Sequence, residues 1–232
     1  TSETGEKCLG LLIVMEGADP IREPAELEWW VERGLRGVGL AWWSGSRYAG
    51  GNANRGPITD EGYSLLDAMA AYNLPLDLSH LWIDAAYEAL DRYPGPIVGT
   101  HSTPAAFVDT PRSFSDDLIR RMADRGGVMG VMPVNAMLDP QWHRGDPRLP
   151  LDRFVQAIDH VCQVVGHAAC VGIGSDLDGG FGRESVPIGL ESIADLGKIE
   201  ALLLERGYRE TDVRAILSEN WLRVMRGCLA GF

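Results

Sequence analysis

LPLDLSHLWIDAAYEALDRYPGPIVGTH, residues 74–101, reads as strand, helix, strand, and each strand run has a histidine at or beside its end. LPLDLSHL (74–81) and PIVGTH (96–101) are short, mostly apolar and punctuated by proline and glycine, whereas DAAYEALDRY between them repeats its apolar side chains at three and four. Two strands joined through a helix run parallel.

The same unit recurs along the chain. CLGLLIVME (8–16), GVGLAWW (37–43), GVMGVMPV (127–134) and CVGIGSD (170–176) are further strand candidates. ELEWWVERGL, EGYSLLDAMAAY, DDLIRRMADR, LDRFVQAIDHVCQVV, DLGKIEALLLERG and ETDVRAILSENWLRVMRG carry the helical period, and in LDRFVQAIDHVCQVV residues Leu151, Phe154, Ile158, Val161 and Val165 form one stripe. Thr59, Ser115 and Thr211 stand where helix caps belong. Strands apolar on both faces need helices over both, which leaves a doubly wound sheet or a (β/α)8 barrel. The strand ends decide between them. Glu16, His80, His101 and Asp176 each lie at or just past the C-terminal end of a different strand, and a TIM-type barrel gathers those ends around one mouth. A doubly wound sheet would also carry a glycine-rich phosphate loop after an early strand, and neither GxGxxG nor a Walker pattern is present.

Composition agrees with one enzyme-sized domain over residues 1–232, for no linker, repeat or low-complexity run divides the 232 residues. A net charge of −12 repels a phosphate backbone, so nucleic acid is not an expected partner, and the longest apolar runs fall far short of the roughly 20 residues of a membrane span. Cys8, Cys162, Cys170 and Cys228 have no metal-type spacing and read as reduced core thiols. The chain opens on Thr1 without a signal peptide of its own. A cytoplasmic location is the expectation, with a removed upstream signal as the alternative.

His80 and His101 on consecutive strands place two imidazoles side by side, and Glu16 brings the donor set to the three protein ligands usual in a catalytic zinc site. A metal there lowers the pKa of a bound water from about 15.7 toward roughly 7. Asp176, in GSDLDGG, is placed to take the proton or to bind a second ion. A lone strand-end histidine is usually structural; two in succession, with an early Glu and a late SDxDG, argue for a hydrolytic site. His160, within a helical stripe, and His167, in a connection, read as structural, and His143 lies in a polar loop. Asp178 reads as a loop former rather than a ligand. Trp29 and Trp30 are expected to pack on a helix, while Trp42 and Trp43 end a strand at the mouth.

From LLIVMEGAD through RGVGLAWW, GPITDEG, LDLSH, VGTHS, TPRSFSDD and GIGSDLDG to SENWLRV, the chain resembles the membrane dipeptidase family, peptidase family M19 of the amidohydrolase superfamily. The resemblance implies a zinc-dependent dipeptidase on a (β/α)8 barrel, with one or two ions, a dipeptide-like substrate and a homodimer as the family's frequent state. Residue by residue, Glu16 resembles the glutamate that bridges two zincs, His80 and His101 the histidines of one metal site, and Asp176 the late aspartate of the other. Arg112 matches the arginine that holds the substrate carboxylate, a task suited to a planar fork of donors. Trp42 stands where the family has a histidine that polarises the scissile carbonyl, and indole can donate one hydrogen bond but carries no proton charge.

Two departures qualify the expectation. No histidine is followed two residues later by aspartate, and six strands are found where the barrel needs eight, so the first one or two βα units are absent here. Missing upstream sequence is the expected reason, since six strands leave two open edges. The competing function is a catalytically impaired binding or assembly protein that keeps the frame. A branch with metals bridged by a carboxylated lysine is disfavoured, because Lys7 and Lys198 are the only lysines and neither ends a strand.

Overall fold

A computed structural model describes residues 10–177 and 179–229. Lys7, with Cys8 and Leu9 at the start of the first strand run, and the loop residue Asp178 lie outside the described residues; Lys7 directly precedes that run.

All six expected strands form: β1 (Ile13–Glu16), β2 (Leu35–Gly39), β3 (Leu76–Asp77), β4 (Ile97–Pro104), β6 (Val128–Val131) and β7 (Val171–Ile173). A two-residue strand, β5 (Ser113–Phe114), lies beside the end of β4 and is too short to leave a periodic signal. The main sheet is parallel and its order is the order of the chain, β1-β2-β3-β4-β6-β7. A doubly wound sheet reverses its direction of growth at a switch point. This one never does, and it also curls: the Glu16 carboxylate at the end of β1 lies 2.9 Å from the His101 imidazole on β4, three strands away.

Between strands run α1 (Leu27–Glu32), α2 (Asp60–Ala71), α3 (Ile83–Arg92), α4 (Asp116–Asp124), α5 (Asn135–Leu138) and α6 (Leu151–Val165), followed by α7 (Lys198–Glu205), α8 (Glu210–Arg214) and α9 (Asn220–Leu229). The stripe of α6 packs inward as the spacing requires, with Phe154, Ile158 and Val161 wholly buried. Each such side chain contributes about 1.5–3 kcal/mol. Thr59 accepts a hydrogen bond from the Gly62 amide and Ser115 from the Leu118 amide, so both expected caps form. Thr211 does not cap: the helix already begins at Glu210, where the flanking Arg209 binds the Asp212 carboxylate and two acidic side chains face the positive end of the helix. Trp29 also departs from expectation. Trp30 packs on the core, but Trp29 is half exposed, edge-on to Trp30 and covered by the Arg33 guanidinium at 3.8 Å.

SENWLRV has a structural use. The Asn220 amide donates to the carbonyls of Ala168 (2.6 Å) and Val171 (2.7 Å), and the Trp221 indole donates to that of Ile173 (3.1 Å). Gly172 makes this possible, for a Cβ there would lie 2.4 Å from the indole nitrogen. α9 is thus latched along β7. Cys162, Cys170 and Cys228 are buried free thiols. No helix among the described residues is long and apolar enough to cross a membrane.

Candidate active site

Glu16 is the last residue of β1, and Gly17 turns the chain immediately after it with φ +80°. A Cβ on Gly17 would press on Trp42 at 3.0 Å, so the turn lets the strand end and Trp42 sit together. His80 follows β3 after a short turn in which Asp77 Oδ1 accepts the Ser79 amide at 3.0 Å, the aspartate turn expected of that spacing. The backbone then passes through the left-handed region at His80, φ +65°, which aims the imidazole inward. His101 lies within β4 and points to the same place.

Three atoms converge. Glu16 Oε1 lies 3.0 Å from His80 Nε2 and 2.9 Å from His101 Nε2, and these three form the metal-type cluster found among the described residues. Both histidines are buried and Glu16 is half exposed, so the group is open on one side. Separations of this size suit ligands about a shared ion, for bonds of about 2.0–2.1 Å place ligand atoms about 2.9 Å apart at right angles and about 3.3 Å apart in a tetrahedron. His101 Nε2 is buried and makes no aligned hydrogen bond, close as Glu16 is. The donor set therefore fits a divalent ion. The nearby imidazoles of His101 and then His80 hold the Glu16 carboxyl far below the usual carboxylate range, while burial pushes the His80 imidazole down against the opposing pull of Glu16.

Arg112 stands in the loop before β5, half buried, with its Nε and one terminal nitrogen buried and unpartnered. Burial lowers its pKa even though the charges of Asp176, Glu16 and Asp77 oppose that shift. Asp176 follows β7, again with left-handed backbone, φ +47°. Burial raises its carboxyl pKa, with His101 and then Arg112 pulling the other way. Asp176 thus shares the electrostatic field of the mouth without joining the three converging atoms. Trp42 is half exposed, its ring 6.0 Å from that of His80, and Trp43 beside it is equally exposed.

The other histidines stay apart from the cluster. His160 binds Asp116 at 2.9 Å across the α4 and α6 contact, His167 accepts the Ala169 amide, and His143 is exposed near Asp146. Sequence reasoning missed three residues behind the site. Asn52 Oδ1 meets His80 Nδ1 at 2.9 Å, Thr100 Oγ1 meets His101 Nδ1 at 2.8 Å, and the buried Asp77 carboxylate accepts the Thr100 hydroxyl and the Thr100 amide. Asp77 had a signal, an acid inside the apolar run LPLDLSHL; Asn52, in the polar loop GGNANRG, had none.

Residues 2–229 match the family model of membrane dipeptidase, peptidase family M19. An uncharacterized protein encoded in the pqqA 5' region of Klebsiella pneumoniae is 30% identical over 95% of this chain and 83% of its own length. An uncharacterized dipeptidase of Schizosaccharomyces pombe is 29% identical over 76% of this chain and 41% of its own. Among solved structures, a metallo peptidase from Rhodobacter sphaeroides, liganded with a phosphinate mimic of the dipeptide L-Ala-D-Ala, superposes with a TM-score of 0.84 at 24% identity, over 93% of this chain and 62% of that one. The chain therefore spans less than two thirds of the length of the last two proteins.

Proposed function

The chain belongs to the membrane dipeptidase family, peptidase family M19, and we propose from that premise that it is a zinc-dependent hydrolase of a dipeptide or related small amide. The observation that carries this reading is the convergence of Glu16 Oε1 on two imidazole nitrogens at 2.9–3.0 Å. Glu16, His80 and His101 would hold the ion, within one barrel domain over residues 1–232. When bound, such an ion polarises a carbonyl and acidifies water. The phosphinate mimic of L-Ala-D-Ala bound by the Rhodobacter sphaeroides protein supports a dipeptide as the substrate class.

The chain's own residues supply binding and proton handling. Arg112 offers two buried, unpartnered nitrogens to a substrate carboxylate, a pairing in which the planar fork makes two parallel hydrogen bonds. Asp176, whose carboxyl is raised by burial, takes a proton at its Oδ atoms and returns it to a leaving amine. Half-exposed Trp42 lends an apolar wall and one N–H. Elemental analysis beside a dipeptide hydrolysis assay, with and without chelator, tests the reading. The expected result is stoichiometric zinc and chelator-sensitive turnover; a correctly folded, zinc-loaded chain without turnover would favour the second reading, a binding protein that keeps the frame. The presence of Trp42 where the family pattern has histidine favours that alternative.

A further inference from the structure

Hydrogen-bond logic fixes which ring nitrogen of each histidine faces the cluster. The Pro111 carbonyl can only accept, so the Asn52 side-chain nitrogen, 3.1 Å away, must donate to it, and this orients the amide. Asn52 Oδ1 is then the atom beside His80 Nδ1, and an oxygen there requires that nitrogen to carry a hydrogen. The second histidine obeys the same logic through different partners. Asp77, an acceptor on both oxygens, takes the Thr100 hydroxyl hydrogen on Oδ2 and the amides of Ser79 and Thr100 on Oδ1. With its own hydrogen committed to Asp77, Thr100 Oγ1 can only accept from His101 Nδ1 at 2.8 Å.

We propose that Asn52 and the Thr100–Asp77 pair are positioning residues that hold His80 and His101 with hydrogen on Nδ1, so that both Nε2 lone pairs are presented to a metal ion beside Glu16. Outer partners of this kind orient a metal-binding imidazole and raise its basicity, and their loss typically costs about 10–100-fold in metal affinity. Asn52 does one thing more: its bond to the Pro111 carbonyl ties the His80 ring to the residue next to Arg112, joining the metal side of the mouth to the carboxylate side. The affinity part of this inference rests on the metal reading of the triad; the placement of hydrogens does not.

Two near-isosteric variants test it. In Thr100→Val the acceptor for His101 is gone, and the ring hydrogen is expected on Nε2, where Glu16 Oε1 lies 2.9 Å away. In Asn52→Leu the same exchange is expected at His80, whose Nε2 lies 3.0 Å from Glu16 Oε1. Nitrogen-15 spectra of histidine-labelled, metal-free protein read the site of the hydrogen directly. The expected pattern is Nδ1–H on both rings in the parent, lost only at His101 in one variant and only at His80 in the other. Competition with a chromophoric chelator for zinc should show affinity lowered about 10–100-fold in each variant and restored in Thr100→Ser. A parent with bare Nδ1 on either ring, or Thr100→Val binding zinc as tightly as the parent, would overturn the proposal. If the parent shows the expected hydrogens yet binds no zinc, the metal reading fails and the positioning stands.

Discussion

Asn220 and Arg112 are both polar side chains drawn away from solvent, one along the flank of β7 and the other at the mouth, and they end in opposite states. Asn220 spends both amide hydrogens on carbonyls, and its neighbour Trp221 spends its indole hydrogen on a third. Arg112 keeps two buried nitrogens without partners, as His101 keeps its Nε2. Buried polar groups are ordinarily paired because an unpaired one costs about 1–3 kcal/mol. The latch behaves as a structural network should. At the mouth the unpaired atoms are those that a ligand would satisfy, so binding capacity is stored as incomplete hydrogen bonding.

Breaking the mouth should therefore cost function and spare the fold, and breaking the latch the reverse. The largest effect is expected of Glu16→Ala: zinc content by elemental analysis falls to background while circular dichroism is unchanged, because Glu16 is half exposed and contributes little packing. Next comes Arg112→Met. Its kcat/KM for a dipeptide with a free carboxylate should drop about 10–100-fold, the worth of a charge-assisted pair of about 1.5–3 kcal/mol. Its melting temperature should hold or rise, since unpartnered donors are removed; a lower one would show that Arg112 is already satisfied.

Asn220→Leu sharpens the other side. It strands the Ala168 and Val171 carbonyls, at about 1–3 kcal/mol for each, visible as a lower denaturant midpoint with zinc content unchanged. The smallest effect concerns the thiols. Burial pushes Cys162 and Cys228 up to about 11 and Cys170 to about 12, so at pH 8 only about one in a thousand of the former is thiolate. Native protein should resist alkylation at these three positions, mapped by mass spectrometry, and label fully in denaturant. Fast native labelling of Cys170 would show that the packing beside the latch opens readily.

The architecture was legible because it is written in periods and punctuation. Apolar runs ending on Glu16, His80 and His101 announced both the parallel sheet and the convergence of its strand ends. What sequence could not show were relations made only in space. Asp77 reaches His101 through Thr100 on the neighbouring strand, and Asn52 reaches His80 from a loop 28 residues away. Thr211 was misplaced as a cap because Thr and the preceding Glu210 suit a helix start equally well, and the Arg209–Asp212 ion pair settles the boundary two residues earlier. The two residues of β5 carry no period at all.

The strand that carries Glu16 has its own consequence. β1 is a four-residue strand whose register against β2 slips between Ile13 and Met15. His80 and His101 are carried by β3 and β4, which pair with each other and with β2 and β6. Local opening of a short, irregularly paired strand takes less free energy than global unfolding. Peeling β1 from β2 would carry the carboxylate away while leaving both imidazoles in register. An ion held by all three would act as a rivet between β1 and the strands that carry the histidines, and its grip would be felt as slowed amide exchange along β1 before any change in overall melting.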